Sequence, residues 1–466
     1  MATNPDIVVA LDTLGKRQAK IKKYQRYYDG DHDLAFATNK FKKAFADLFT
    51  EFADNLCPAV VDPVADRLRI TGFGDSPAGN RAWEIWKQNR MTQRAGEVHT
   101  DALTVGDAYV IVWQSADGEP EIMVNTAETT MVYYSAEQPG RIDWAAKRWS
   151  VGKQVRLNMY YPDRIEKYIT QERGAGSGDP SARAFAPYEV PGEPWPITHP
   201  YGRVPVFHFP NNGRTGACGR SELKDVIPLQ DALNKSIADM LVAMEYVALP
   251  QRWATGIEVK RDPVTGEPIS PWKPAIDAVW SAPDSDVHFG QFDPSDLSQF
   301  LNVQDKFRME IARVSRTAIH FLMMQTGDFP SGESLKTAES PFLAKVMDRM
   351  ESYGNVWQDV MLFALLIANT TASADDVVPD WCDPAPKSAK EQAETTEIKQ
   401  RIGVPLETLL KELDYADAEI QEMLANEQGR QVAATTAALN AIAQRQAAAS
   451  GVAPPVGDQA FVNSQQ

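Results

Sequence analysis

The sequence predicts an α+β fold that is mainly α-helical. Three long stretches between residues 219 and 368 repeat their apolar residues at the helical period. Between residues 106 and 170, short apolar runs alternate with Gly, Asp, Asn and Pro turns, the pattern of an antiparallel sheet. The composition, 43% hydrophobic and 24% charged, is typical of a globular protein. A chain of 466 residues can bury one large core or several smaller ones.

The N-terminal part of the chain, residues 1–218, begins with helices. Residues 6–28 form an amphipathic pattern with Ile7, Leu11 and Leu14 on one face. Further helices are predicted over residues 39–68, with breaks at two prolines, and over residues 81–103 as one continuous element. The strand pattern then begins at Gly106, and a further strand is predicted over residues 203–209.

A long helix is predicted to begin at Ser221, a good N-cap residue, and to stop before Pro250. Over residues 221–248 it would be roughly 40 Å long. A proline-punctuated insert with short strands follows over residues 250–294, and a second helix is predicted over residues 295–323 with Phe300, Val303, Phe307, Ile311, Val314 and Ala318 on one face. The residues predicted to pack the two helices are Leu233, Ile237, Met240, Met244, Phe307 and Ile311.

A break over residues 324–333 separates the second helix from a very long third one. This break, rich in Gly and polar residues, cannot be a core element, and Ser331 or Ser334 could cap the helix that follows. The third helix is predicted from about Ser334 to Ala368, in a segment that ends at residue 374. Residues 375–430 are polar with helical signals, and residues 431–466 are rich in Ala and Gln and then of low complexity.

Charge and cysteine usage restrict the functional classes. The formal net charge of −16 argues against tight phosphate binding by the chain as a whole. The cysteines Cys57, Cys218 and Cys382 are far apart and odd in number, so we expect reduced thiols. We expect no signal peptide and no membrane span, because the N-terminus lacks the basic-then-apolar pattern and the apolar runs are short.

Three segments look like functional motifs but fail the requirements of each. Residues 29–33 alternate carboxylates, yet a calcium loop would need Gly and Glu where Leu34 and Lys40 stand. In residues 162–167, alternation along a strand would point Glu166 and Lys167 to opposite faces, unlike a nuclease site. Residues 213–221 depart twice from a phosphate-binding loop, so we interpret them as a glycine-rich hinge. We therefore predict no catalytic, cofactor-binding or metal-binding residues and no cofactor.

A basic stretch near the N-terminus leaves two interpretations open. Residues 16–43 contain nine Lys or Arg against three Asp. The stretch would either contact an anionic partner or form a solvated face, and a solvated face is favoured about two to one on pattern alone.

Several segments resemble one known family. Residues 203–212 (RVPVFHFPNN), 219–236 (GRSELKDVIPLQDALNKS) and 329–346 (FPSGESLKTAESPFLAKV) resemble portal proteins of tailed bacteriophages, particularly long-tailed actinobacterial phages. YYDG at residues 27–30 and VVDPVADRLRITGF at residues 60–73 extend the resemblance toward the N-terminus.

The resemblance implies a portal fold divided into named regions. Residues 1–218 would be the wing, 219–249 the first stem helix, 250–294 the clip, 295–323 the second stem helix, 324–333 the tunnel loop, 334–374 the tunnel helix, 375–430 the crown and 431–466 a tail. The tunnel-loop residues expected to face DNA are Gln325, Thr326, Gly327, Asp328, Phe329, Pro330, Ser331, Gly332 and Glu333, together with Lys336 one turn into the helix.

The family resemblance also implies function and partners. Such a protein forms a homo-oligomeric ring, typically of twelve copies, that passes double-stranded DNA at one capsid vertex. It would assemble in the host cytoplasm and contact the large terminase, a head–tail adaptor, and the major capsid and scaffolding proteins, with no membrane. The alternatives are another structural protein of the virion head or connector and, with less support, a DNA-processing enzyme.

Overall fold

The computed structural model describes residues 4–33, 35–36, 53–172, 179–248, 252–256, 261–267, 286–291, 297–323, 332–385, 389–413 and 419–426. The chain divides into two compact units, residues 1–384 and 385–466. None of the helices within the described ranges has the length and apolar composition to cross a bilayer.

The first helix, α1 (Pro5–Tyr28), confirms the N-terminal prediction. The Asn4 side chain accepts a hydrogen bond from the Asp6 backbone N–H at 3.0 Å, and Pro5 occupies the first turn, where its missing N–H has no cost. The face containing Ile7 and Leu14 is buried. A short helix, α2 (Cys57–Ala65), covers part of the predicted 39–68 segment, and residues 37–52 lie outside the described residues.

The single helix predicted over residues 81–103 is wrong, because two helices stand there, α3 (Pro77–Gln88) and α4 (Met91–Val105). The chain turns at Arg90, whose φ of 55° is left-handed. The adjacent Asn89 side chain accepts a hydrogen bond from Ile122 N at 2.9 Å and donates one to Pro120 O at 3.0 Å. These contacts with a distant strand favour the turn over a continued helix.

The predicted antiparallel strands are present but form two larger sheets instead of one. β2 (Asp107–Gln114) is central to a sheet of order β10-β2-β3, with β3 (Pro120–Thr126) and β10 (Val206–Pro210). The second sheet has the order β4-β5-β6-β7-β8, with β9 also on β7; its strands are β4 (Thr130–Tyr134), β5 (Ile142–Val151), β6 (Gln154–Tyr160), β7 (Arg164–Thr170), β8 (Phe185–Pro187) and β9 (Ile197–Thr198). β1 (Ile70–Gly72) pairs with β13 (Asp380–Trp381), and β11 (Arg252–Thr255) with β12 (His288–Gln291).

The first long helix, α5 (Ile227–Ala248), begins six residues after the predicted start. A helix from Ser221 would place Pro228 in its interior, where the ring lacks an N–H and clashes with the preceding turn. In α5, Pro228 is the second residue and costs nothing there. The Ser221 hydroxyl instead donates to Thr104 O at 2.5 Å and accepts from Leu223 N at 3.0 Å, so it caps a turn.

The second long helix, α6 (Ser298–Ser315), ends before the predicted Ala318 because Arg316 adopts a left-handed φ of 53°. Its predicted face was also partly wrong. Val303 and Val314 are exposed, whereas Gln304, Ile311, Ala312 and Ser315 are buried.

The third helix, α7 (Gly332–Ile367), agrees closely with its prediction, although Gly332 and Glu333 are its first residues and do not belong to the loop. Ser334 therefore lies within the helix and cannot be its cap, and Ser331 lies outside the described residues. After α7, the chain returns to the N-terminal part of the first unit, where β13 pairs with β1. The second unit contains α8 (Ala389–Arg401) and α9 (Leu406–Glu412).

The main core of the first unit joins the α-helices to the three-stranded sheet. Its largest fully buried side chains include Trp86, Trp357, Tyr353 and Phe209. A smaller cluster packs the start of α1 on the second sheet through Ile7, Leu157 and Tyr168. Both sheets are thus packed against helices of the first unit.

Candidate functional site

The predicted tunnel loop falls mostly outside the described residues. Gln325–Ser331 belong to that part of the chain, and Gly332 begins α7. Lys336 lies one turn into α7 and is exposed.

The six residues predicted to pack the stem hairpin occupy different environments. Leu233 and Ile311 are fully buried, and Ile237 and Phe307 are half-buried against the main core. Met240 is half-buried, and its sulfur accepts a hydrogen bond from Gln304 Nε2 at 3.6 Å. Met244 is 47% exposed, so this subunit does not bury it. The packing therefore weakens from the body end of α5 toward its far end.

Several apolar side chains around the hairpin are exposed. Leu301, Val303, Met309 and Val314 on α6 are all exposed, as is Met244 on α5. We call these five residues the outer stem surface. The apolar face predicted for the second long helix contained Val303 and Val314, and that of the first contained Met244. Leu301 and Met309 were not predicted, because they lie outside the face predicted for α6.

Polar groups attach the first two turns of α5 to residues at the end of α1, just after α1 and just before α2. Tyr27 donates a hydrogen bond to Asp231 Oδ1 at 2.7 Å, and Asn234 Nδ2 lies 2.8 Å from His32 Nδ1. Burial, followed by the bond to Asp231, raises the pKa of Tyr27 well above its usual value. Gln230 is fully buried and accepts a hydrogen bond from Leu56 N at 3.0 Å. Sequence periodicity missed these contacts, although polar residues at 230, 231 and 234 share one helical face.

A buried ionic cluster joins the stem to α7. Glu222 pairs with Arg349 at 3.1 Å and with Lys345 at 3.6 Å, and Arg349 Nε donates to Asn211 Oδ1 at 2.5 Å. Lys345 Nζ also donates to Ser315 O at 2.7 Å, which holds the last carbonyl of α6. Burial acts to raise the pKa of Glu222, but the charges of Lys345 and Arg349 hold it below its usual range.

A second buried cluster surrounds Asp107 at the start of β2. Its carboxylate accepts hydrogen bonds from His208 Nε2 at 2.8 Å and from Gly219 N at 2.6 Å, and it pairs with Arg17. Burial opposes ionisation, yet the hydrogen bond and charge of His208 and the charge of Arg17 keep the pKa of Asp107 below its usual value.

Gly219 shows why glycine is needed in the predicted hinge. A Cβ at this position would lie 2.0 Å from Gly106 O and 2.6 Å from Asn211 N. Only glycine allows the chain to pass so close to β2 and β10 before it enters the stem.

The motif-like segments have structural partners. Glu166 is buried and accepts a hydrogen bond from Arg164 Nε at 2.8 Å, whereas Lys167 pairs with Glu193 at 2.5 Å. Their partners differ as expected for opposite strand faces. Among the described residues, no group of three or more His, Cys, Asp or Glu side chains is arranged to hold a metal ion.

The basic N-terminal stretch is partly neutralised within the chain. Arg26 pairs with Asp31 at 2.7 Å, Lys22 pairs with Glu128 at 3.5 Å, and Arg17 is committed to Asp107. Lys22 remains exposed and Arg26 partly exposed, as in a solvated face, whereas Arg17 belongs to the buried cluster at Asp107.

Two solved structures share a distant likeness with the chain. The neck of a native gene transfer agent particle, computed with C12 symmetry, has a TM-score of 0.43 and 13% identity, covering 84% of this chain and 94% of that one. The virion of a native gene transfer agent particle has a TM-score of 0.43 and 12% identity, covering 79% of this chain and 91% of the other.

Sequence comparison gives the stronger result. The portal protein of Mycobacterium phage D29 is 26% identical over 389 residues, which cover 78% of this chain and 76% of the relative. The portal protein of Mycobacterium phage L5 is 25% identical over 394 residues, with the same coverage of both chains. Residues 13–433 also match the model of a phage portal protein family, SPP1 Gp6-like. Because that match covers most of the 466 residues, the chain belongs to the SPP1 Gp6-like family of phage portal proteins.

Proposed function

We propose that this chain assembles into a homo-oligomeric ring, of about twelve copies, that forms the DNA channel at one capsid vertex. The observation that carries the ring is the outer stem surface, in a chain of the portal family. The ring would pass double-stranded DNA during genome packaging and ejection. Portal proteins are structural components, and this chain would act without catalysing a reaction.

The outer stem surface needs a partner. Five apolar side chains on one helical hairpin are left exposed by their own subunit, and contact with a neighbouring subunit would remove them from water. In a cyclic ring each subunit presents two different faces to its neighbours, so α5 of one copy would cover α6 of the next. Burial of this surface would stabilise the assembled ring, with little effect on the isolated subunit.

The charge of the chain suits a passive channel. With a net charge of −16, the ring would repel a duplex weakly, and the absence of many phosphate contacts would let DNA slide. We propose that a separate terminase supplies the energy for packaging, because the sequence contains no phosphate-binding loop.

We propose that different parts of the chain form the different regions of the portal. Residues 1–218 form the wing, the hairpin of residues 219–249 and 295–323 the stem, residues 250–294 the clip and residues 375–430 the crown. Clip and stem would dock the terminase and then the head–tail adaptor, and the wing would contact major capsid and scaffolding proteins. The protein would assemble in the host cytoplasm and reside at the portal vertex of the virion.

Electron microscopy of the purified protein tests the ring. We expect closed rings of about a dozen subunits with a central channel, and a matching mass by light scattering. A monodisperse monomer at micromolar concentration, with no rings on the grid, would contradict the proposal.

We propose that residues 325–333 and Lys336 face the channel and act in DNA passage. Replacing Asp328–Ser331 with a short Gly-Ser linker should leave ring assembly intact and reduce packaging. Packaging at the wild-type level would refute this role, and loss of rings would show that the loop is structural.

A further inference from the structure

A small polar cavity lies where the stem meets the body. Its volume is about 140 Å³, and it is enclosed by the turn before α5, the end of α6 and the middle of α7. The charged side chains that line it are Arg220, Glu222, Asp225, Arg316, Lys345 and Arg349. Four cations therefore face two carboxylates, in a chain whose net charge is strongly negative.

The internal ion pairs do not balance these charges. Asp225 pairs with Arg220, and Glu222 is shared between Lys345 and Arg349. Lys345 and Arg349 are both 3% exposed, so bulk water contributes little to their solvation. Arg349 gains a second carboxylate from Asp348, but that residue is exposed outside the cavity.

Lys345 and Arg316 each have N–H donors that could bond to a further acceptor. The Lys345 ammonium carries three N–H donors, of which one is used by Ser315 O at 2.7 Å, and the nearest Glu222 oxygen is 3.6 Å away. Arg316 lines the same cavity and forms no ion pair within the described part of the chain. The unmet donors converge on one space from α6 and α7.

We propose that this cavity binds a single tetrahedral oxyanion of the phosphate class. Arginine forks and a lysine ammonium are the groups that bind phosphate oxygens in proteins. The volume suits one such ion and is well below the roughly 300 Å³ of sites for larger ligands. The phosphate is either a free ion or a phosphodiester of DNA.

Binding would fix the stem against the body. An oxyanion in the cavity contacts Arg316 at the end of α6, Lys345 on α7 and Arg220 before α5, so it bridges three elements. A ligand that binds only the folded state raises the unfolding temperature, by an amount that grows with the logarithm of its concentration above its dissociation constant. The proposal does not depend on ring formation.

The variants Arg316→Gln and Arg313→Gln separate this site from general charge effects. Both remove one exposed arginine near the end of α6, but Arg313 pairs with Glu310 and does not line the cavity. The full-length protein is titrated with inorganic phosphate by calorimetry and by thermal unfolding, against chloride of equal ionic strength. In calorimetry we expect saturable phosphate binding by wild type and by Arg313→Gln, with about tenfold weaker affinity in Arg316→Gln, and in thermal unfolding a correspondingly smaller rise in the unfolding temperature of Arg316→Gln. Arg220→Gln tests the opposite wall, with the same expected loss.

A second titration distinguishes the two sources of phosphate. If DNA supplies it, a 30-base-pair duplex should displace inorganic phosphate, and Arg316→Gln should weaken duplex binding. If the ion is free, duplex binding should be equal in both variants. Absence of any saturable phosphate effect in wild type, or an undiminished effect in Arg316→Gln and Arg220→Gln, overturns the proposal.

Discussion

The C-terminal half of α7 and the α5–α6 hairpin are both long apolar helices, yet their surroundings differ. Around α7, Trp357 contacts Trp86 and Phe209 with ring centroids 4.8 and 4.6 Å apart, and its indole N–H donates to His99 Nε2 at 2.8 Å. The hairpin buries Leu233 and Ile311 at its base but leaves the outer stem surface exposed. Similar apolar patterns therefore serve two purposes, a core closed within one subunit and a surface available to another.

The largest effect should come from the closed core. Trp357→Ala removes a fully buried ring and a hydrogen bond, and should lower the free energy of unfolding by roughly 3–5 kcal/mol. Leu366→Ala, at an exposed position on the same helix, is the control and should change it by well under 1 kcal/mol. Urea denaturation followed by circular dichroism measures both. Equal effects of the two variants would contradict the assigned burial.

A charge at the base of the stem should have the next largest effect. Ile237 is half-buried against the main core, so Ile237→Asp should cost roughly 3 kcal/mol and yield aggregates or free subunits. Ile237→Val keeps the apolar contact and should cost about 1 kcal/mol at most. Size-exclusion chromatography with light scattering reports assembly. Rings like those of the wild type from Ile237→Asp would show that the position tolerates solvent.

A half-buried carboxylate on α4 gives a pH-dependent test. Burial, and then the neighbouring charge of Glu97, raise the pKa of Asp101 on α4 to about 6. The pKa of Asp101 is higher in the folded state than in the unfolded state, so ionisation of this carboxyl disfavours folding. The resulting cost in folding free energy is complete above about pH 6 and absent well below the unfolded pKa. Asp101→Asn should thus stabilise the protein by about 2–3 kcal/mol at pH 8.

The same variant should have almost no effect at pH 3.5, where Asp101 is protonated in the folded state and mostly protonated in the unfolded state. Asp117→Asn, at an exposed turn between β2 and β3, is the control at both pH values. An increase in the free energy of unfolding by Asp101→Asn that is the same at both pH values would contradict the raised pKa of Asp101.

The smallest effect on the subunit should come from the outer stem surface. Met309→Ser on α6 and Met347→Ser on α7 change similarly exposed methionines, at 48% and 53%. Each should alter subunit stability by less than about 0.5 kcal/mol. Only Met309→Ser should weaken the ring. In mass photometry this variant should dissociate at a higher protein concentration than the wild type. Equal ring stability in both variants would show that the outer stem surface has no neighbour.

Local sequence signals predicted much of the architecture. The bounds of α7 differ from the prediction by two residues at the start and one at the end, and each alternating run between residues 107 and 170 became a strand. Where helix bounds differ from the prediction, single residues explain the difference. Asn89 forms hydrogen bonds with β3, which splits one predicted helix, and Pro228 is compatible only with the first turn of α5, which shortens another and leaves the Ser221 hydroxyl to donate to Thr104 O.

The charged clusters could not be predicted in the same way. Lys345 and Arg349 stand on a helix where cations normally face water, and nothing in the periodicity of α7 shows that they are buried. Their partners Glu222 and Asn211 lie more than one hundred residues earlier in the chain. Only the approach of β10, the turn before α5 and α7 brings these groups together.

The α+β class, the order of helices and strands and the resemblance to portal proteins could be read from the sequence alone, because periodicity, turn residues and short motifs are local properties of the chain. The tertiary structure decided where the chain turns between α3 and α4, which side of α6 is buried and which charges share the cavity at the stem base. Those outcomes depend on packing and hydrogen bonds between residues far apart in the chain, and a helix accepts either burial or exposure of one face until its neighbours are in place.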